Sequence, residues 1–204
     1  DLFAGIPSTF APATDVPVPA EYVVGPGDQL RVQLYGDVNR SFVLTVNRDG
    51  SVNFPELGPI NVAGQTFAQV RADLESRVAE QMIGTTASVT IGETRSIRVF
   101  VLGEAYRPGS YTVSGLSTMT NALFASGGVT EIGSLRNVQL KRRGSVVTTL
   151  DLYDLLLHGD TADDARLMPG DVIFIPPVGK TVTVAGEVRR PAIYEVVGDA
   201  TPRK

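Results

Sequence analysis

Val99-Phe-Val-Leu-Gly-Glu-Ala-Tyr-Arg-Pro-Gly-Ser-Tyr-Thr-Val113 aligns without a gap to Val182-Thr-Val-Ala-Gly-Glu-Val-Arg-Arg-Pro-Ala-Ile-Tyr-Glu-Val196. Eight of fifteen positions are identical, at an offset of 83 residues, in the frame V-x-V-x-G-E-x-x-R-P-x-x-Y-x-V. Alternating valines predict a strand. Gly103, Glu104, Arg107 and Pro108, repeated as Gly186, Glu187, Arg190 and Pro191, predict a turn, and the tyrosine-valine alternation predicts a returning strand. A repeat of this kind marks a modular chain, which is the first thing to settle before any fold is assigned.

A shorter echo lies outside the repeat. Pro26-Gly27-Asp28 and Pro169-Gly170-Asp171 each introduce an apolar strand, Leu30-Arg-Val-Gln-Leu34 and Val172-Ile-Phe-Ile175. Proline presets φ at the second position of a type II turn and glycine accepts positive φ at the third. Pro176-Pro177 ends the second strand, because proline cannot continue a ladder. The first unit of the repeat therefore runs from about Arg95 to Pro177. The second begins near Lys180 with only its opening hairpin, so the pattern predicts a chain cut inside a domain.

Working outward, Phe67 to Met82 reads as a helix. Thr66 and Gln69 form a capping box, Phe67, Val70, Leu74, Val78 and Met82 recur every three or four residues, and Gly84 supplies a C′ stop. Asn47-Arg-Asp-Gly50 reads as a hairpin tip between Phe42–Val46 and Ser51–Phe54. Val89, Ile91, Ile97, Val99 and Val101 give two strands around Gly92-Glu-Thr-Arg95. Further helices are expected over Thr118–Ser126 and Leu152–Leu157, and a hairpin over Asn137–Leu150 with its tip at Arg142-Arg-Gly144. The result is an α+β chain. A proline-rich extended lead-in covers 1–20, a first domain 21–93, a second 94–177 and a truncated repeat 180–204.

Composition narrows the function. The 204 residues are 43% hydrophobic and 20% charged with a formal net charge of −4, a folded chain without the basic footprint of a nucleic-acid binder. Glycine (21) and proline (13) are about a sixth of the chain, as many turns between short strands require. With no cysteine and one histidine, His158, disulfide scaffolds, cysteine-zinc sites and CxxC chemistry are excluded, and a histidine triad has one candidate base. No GxSxG, Walker or GxGxxG pattern occurs, so no catalytic, cofactor or metal residues are assigned. No apolar run reaches the length of a membrane helix, and the first twenty residues lack the basic start and apolar centre of a signal peptide.

Tyr22-Val-Val-Gly-Pro-Gly-Asp-Gln-Leu30, Asn47-Arg-Asp-Gly-Ser-Val-Asn-Phe-Pro55 and Leu57-Gly-Pro-Ile60 resemble the polysaccharide-export domain of bacterial outer-membrane polysaccharide export proteins. The Gly-Glu-x-x-Arg-Pro unit, Ala122-Leu-Phe-Ala-Ser-Gly-Gly128 and Pro169-Gly-Asp-Val-Ile-Phe-Ile-Pro176 resemble the soluble-ligand-binding β-grasp (SLBB) domain that follows it in that family. The resemblance covers Glu21 to Val196. It implies a non-enzymatic, periplasmic part of an outer-membrane channel for capsular or exopolysaccharide. It further implies a homo-oligomeric ring, contact with the polymer and with an inner-membrane polysaccharide co-polymerase or transporter, no nucleic acid, and membrane attachment only through segments absent from this chain. The alternatives are a β-grasp module that binds a small soluble ligand or sugar as sensor or carrier, and a carbohydrate-active enzyme.

Individual residues carry a bland and a sharp reading. His158 closes a helix, where an imidazolium favours the dipole. Glu104 with Arg107 is expected as a local ion pair of about 0–1 kcal/mol, and Tyr111 and Tyr194 as packing over their strands rather than sugar platforms. Asp160, Asp163 and Asp164 lack the order of an EF-hand loop. Ile132 to Leu150 carries Arg136, Lys141, Arg142 and Arg143 with no acid, whereas Asp151 to Asp171 carries six aspartates. The bland reading is a solvated tip beside a solvated loop. The sharp one is that Arg142 and Arg143 of one protomer meet Asp160, Asp163 and Asp164 of the next, since a head-to-tail ring needs two different complementary patches.

Overall fold

The computed structural model describes residues 18–186 and 192–196, which fall into two compact units divided between Ser96 and Ile97, with Ser114–Leu116 returning to the first. Glu187, Arg190 and Pro191 of the repeated turn, and most of the proline-rich lead-in, lie outside the described residues.

The first unit is built on a three-stranded antiparallel sheet of order β2-β1-β5, from β1 (Gln29–Gly36), β2 (Arg40–Thr45) and β5 (Thr85–Ile91). Leu30, Val32 and Leu34 of β1 are buried while Arg31, Gln33 and Tyr35 face outward, the period-2 alternation of a sheet with one covered face. Helix α1 (Phe67–Gln81) lays Phe67, Val70, Leu74 and Val78 into this core, and both hydrogen bonds of the Thr66–Gln69 capping box are formed. The helix ends one residue earlier than its periodicity suggests. Met82 is the C-cap, and Gly84, at φ 77°, sits one position beyond C′.

Asn47–Gly50 does not close a hairpin within one sheet. β2 pairs with β1, whereas β3 (Ser51–Phe54) pairs with β4 (Gly58–Asn61) in a separate ribbon. The Gly27 and Val46 backbones are bonded across the turn that starts β1, and the Gly50 carbonyl is taken by the N–H groups of Val62 and Ala63. A Cβ at Gly50 would lie 2.7 Å from that of Ala63, so the Asp-Gly pair serves a close crossing between sheets. The strands around Gly92–Arg95 part in the same way. β5 stays in the first sheet and β6 (Ser96–Gly103) enters the second unit.

The second unit is a five-stranded mixed sheet of order β7-β6-β10-β8-β9, with β7 (Gly109–Ser114), β8 (Val138–Arg142), β9 (Ser145–Leu150) and β10 (Val172–Ile175). β6 and β10 run parallel at its centre, so the chain between them must cross over, and it does so through α2 (Met119–Ala125), the β8–β9 hairpin and the loop that follows. Met119, Ala122 and Leu123 close the core against Val99, Val101, Leu140, Ile173 and Ile175. At the β8–β9 tip Arg143 has φ 51° and Gly144 φ 85°, the two left-handed positions of a type I′ turn. The expected helix at Leu152–Leu157 is a wider turn. After the buried Leu152, Asp154–His158 is a π-helical segment closed by Gly159 at φ 71°, with Leu156 and Leu157 exposed. The repeated hairpin follows as β11 (Thr181–Val184) and β12 (Ala192–Glu195), which pair antiparallel; its counterparts β6 and β7 are likewise neighbours in their sheet.

Candidate functional site

The two Pro-Gly-Asp turns are the same device built twice. In each, glycine takes a left-handed φ, 96° at Gly27 and 83° at Gly170, and the aspartate N–H bonds back to the residue three before it, Gly25 or Met168, at 3.1 Å. The carboxylate then returns the bond to that residue's own N–H at 2.8 Å in both turns. Asp28 and Asp171 are buried, and each is met by an arginine from elsewhere in its unit. Arg95 reaches Asp28 with a guanidinium nitrogen at 2.5 Å and its backbone N–H at 2.8 Å, while Arg142 grips Asp171 with Nε and Nη2, both at 2.8 Å. The Arg142–Asp171 pair has the parallel fork geometry that makes arginine–carboxylate contacts strong, and it holds the Arg142 guanidinium above its usual range.

At the first turn the Tyr22 hydroxyl also donates to Asp28, at 2.8 Å. Burial, and then the neighbouring Asp28 carboxylate, push that hydroxyl far above the usual tyrosine range, with Arg95 opposing in part. Sequence reading singled out both aspartates but paired neither. The sequence offers Arg95 only as a turn residue and Arg142 as part of a contact between protomers; in the structure each bonds a buried aspartate of its own unit.

The Gly-Glu-x-x-Arg-Pro turn works mainly through its backbone. Gly103 has φ 82°, and a Cβ there would lie 2.1 Å from the Ile175 carbonyl oxygen. Gly186, its repeat, shares the left-handed φ at 99°. The Glu104 N–H donates to Ile175 and its carbonyl accepts from Thr130, while the N–H groups of Tyr106 and Arg107 donate to Gly128 and Ser126. The expected Glu104–Arg107 ion pair is not among the pairs of the described residues. Arg107 lies instead over the Tyr106 ring, 5.9 Å from its centroid, because the backbone bonds fix the turn without a side-chain link. Tyr111 packs on the core and donates its hydroxyl to the Arg107 carbonyl at 2.5 Å. Pro108 follows as an exposed turn residue.

Two ion pairs join the charge blocks seen along the sequence inside the unit. Arg136 pairs with Asp151 at 3.0 Å and Arg142 with Asp171 at 2.8 Å. His158 meets Asp154 at 3.3 Å. Asp164 accepts from the Thr120 N–H and so caps α2, and Asp160 accepts from Ala162. What faces solvent at the tip is Arg143, beside an open cleft of about 470 Å³ bounded by Arg142, Arg143, Met168, Pro169, Gly170 and Asp171. Asp160 and Asp163 are exposed on the loop. Among the described residues no three His, Asp or Glu side chains converge as a metal site, and no helix is long and apolar enough to cross a membrane.

One residue that sequence reading passes over is a carboxylate of the second unit held by four donors. Glu195, on β12, accepts from the Ser134 hydroxyl at 2.7 Å and from the N–H groups of Leu135 (2.9 Å), Gly179 (3.0 Å) and Arg136 (3.3 Å). Burial works to raise its carboxyl, but the Gly179, Ser134, Leu135 and Arg136 bonds outweigh it and hold the group below the ordinary glutamate value. The available signal was a departure from the repeat, since the equivalent position of the first copy is Thr112.

Comparison with known proteins matches residues 16–92 to the polysaccharide biosynthesis/export protein model and residues 97–175 and 181–201 to the SLBB domain model. The chain is 31% identical over 170 residues to the polysialic acid transport protein KpsD of Escherichia coli, an alignment covering 82% of this chain and 30% of that protein. It is also 31% identical over 150 residues to the EPS I polysaccharide export outer membrane protein EpsA of Ralstonia nicotianae, covering 72% of this chain and 39% of that one. The chain thus spans about a third of the length of these relatives.

Proposed function

The chain belongs to the polysaccharide biosynthesis/export family with SLBB domains, and from that premise we propose that it forms the non-enzymatic periplasmic part of an outer-membrane assembly exporting a capsular or exopolysaccharide. The observation that carries this reading is the order of modules, an export domain followed by β-grasp repeats, running through an alignment over 82% of the chain to a polysialic acid transporter. Two relatives named for transport and export support a role in moving the polymer rather than cleaving it.

The physics fits a wall segment. Each unit has a core of its own, and a polymer that must keep moving along a wall of such units is held only by weak contacts. The working form is a homo-oligomeric ring that receives polysaccharide from an inner-membrane co-polymerase or transporter. Arg143 of one protomer facing Asp160 and Asp163 of the next is the contact we assign to it. Arg142 and Asp164 belong to the same two patches and each also makes a bond within its own unit, Arg142 to Asp171 and Asp164 to the Thr120 N–H. Deleting the parent gene and measuring surface against periplasmic polymer tests the export role. Loss of surface polymer with retention inside the cell is expected, and unchanged surface polymer refutes it.

A further inference from the structure

The link from the first β-grasp repeat to the second hairpin runs beside a loop of the first repeat. The Ser134 N–H donates to the Pro176 carbonyl and the Val178 N–H to the Ile132 carbonyl, and Gly133 bridges Pro177. Ser134 is itself buried, and its hydroxyl oxygen also accepts from the Arg136 and Asn137 N–H groups. Successive N–H groups at Leu135 and Arg136 therefore point to one spot, a backbone nest of the kind that holds an anion. The Glu195 carboxylate occupies it.

The rest of Glu195 is read as closely as its side chain. Its N–H donates to the Tyr153 hydroxyl at 3.1 Å, and its carbonyl accepts from Arg136 Nε at 2.7 Å. Arg136 is held in turn by Asp151 and lies over the Tyr153 ring at 4.4 Å, while Tyr153 meets the Tyr194 ring at 6.2 Å. The carboxylate also accepts from the Ser134 hydroxyl and from the N–H of Gly179, in the link itself. Beyond this point β11 and β12 form a two-stranded ribbon with Val182 and Ile193 exposed at 45% and 66%, and a two-stranded hairpin is marginal in water without support from outside it.

We infer that Ser134–Arg136 together with Tyr153 form a docking socket for a carboxylate carried on the returning strand of the following β-grasp repeat, and that Glu195 is the latch fixing that repeat to its predecessor. The recognised partner is a chain-borne carboxylate flanked by free backbone N–H and C=O groups, not a diffusible ligand. The latch belongs to this junction rather than to the repeat frame, because the first copy carries Thr112 at the matching place and shares the Gly-Glu-x-x-Arg-Pro turn without it. This role is independent of the export reading.

The test is amide hydrogen exchange on the full chain and on its E195A and S134A variants. E195A is expected to raise exchange in peptides covering 181–184 and 192–196 by at least about tenfold, with 97–103 and 172–175 unchanged, since local opening costs only the contacts of the opening unit. S134A, which removes one of the four donors, is expected to give a smaller rise in the same two peptides. Unaltered protection of β11–β12 in E195A overturns the latch. So does a rise spread over the whole second unit, because it would make Glu195 a support of the first repeat's own fold instead of a lock on the second.

Discussion

At the scale of single residues, the Pro-Gly-Asp echo turns out to be one electrostatic arrangement used in two unrelated frameworks. A buried carboxylate left without its arginine is costly, by about 3–5 kcal/mol when one partner of a buried pair is removed. Arg95 and Arg142 keep 21% and 28% of their side chains exposed and can rehydrate, which puts D28N and D171N toward the lower end, about 3 kcal/mol each. Urea denaturation followed by a probe in each unit should show D28N lowering the transition of the first unit and D171N that of the second. A loss below about 1 kcal/mol in either, the worth of a surface pair, would mean the arginine clamp is ornamental there. Arg143 presents the opposite case. A non-glycine residue with φ 51° is strained, and type I′ turns favour asparagine or glycine there. R143N should therefore stabilise the second unit by about 0.5–1 kcal/mol, read as a rise in denaturation midpoint, on the scale of turn-conformer effects. The aspartates were visible in the sequence because turn chemistry is local. Their arginines were not, because Asp28 and Arg95 are 67 residues apart and nothing in one sequence links them.

At the scale of elements, the readings that survived were those whose determinants lie within one turn or one strand. The Thr66–Gln69 box, the apolar stripe of α1 and the strand-turn-strand unit of the first copy all formed as their residue types require. Those that failed depended on which neighbour a strand selects. Asp49-Gly50 looks like the tip of a hairpin, yet β2 pairs with β1 and β3 with β4, and the Gly50 carbonyl is taken by the N–H groups of Val62 and Ala63. The Glu195 latch was hidden for the same reason, and it gives a pH dependence with a definite sign. Its folded value lies below the ordinary 4.5, so the carboxylate contributes stability that is complete above about pH 4.5 and is lost as the pH falls through the folded value. The groups around it are Arg136, whose Nε donates to the Glu195 carbonyl, Asp151, which is paired to Arg136, and the Tyr153 hydroxyl, which accepts from the Glu195 N–H. Acidification below pH 4.5 should thus accelerate exchange in 181–196 before 97–103 in the native chain. In E195Q, where no such carboxylate titrates, that acid-induced step should be absent.

For the whole molecule, the pairing of Arg136 and Arg142 takes two of the four cations of the basic block into bonds within their own unit, while Arg143 at its tip stays exposed. A rim pair between exposed Arg143 and Asp160 or Asp163 is worth only about 0.2–1 kcal/mol. In a closed ring every protomer repeats it, so a small term per contact is multiplied, and two different patches are what head-to-tail closure demands. Raising salt from about 0.1 M to about 1 M shortens the Debye length from about 10 Å to about 3 Å, which should weaken such a rim contact while leaving the buried clamps intact. Analytical ultracentrifugation of the parent protein should then show R143E dissociating the assembly at low salt. D160K/D163K should do the same alone, and a chain carrying all three changes should reassemble because the pair is restored with its signs exchanged. If R143E assembles as the native chain does, the contact lies elsewhere. If the triple variant fails to recover, the effect of R143E came from the turn it occupies and not from the charge it presents to a neighbour.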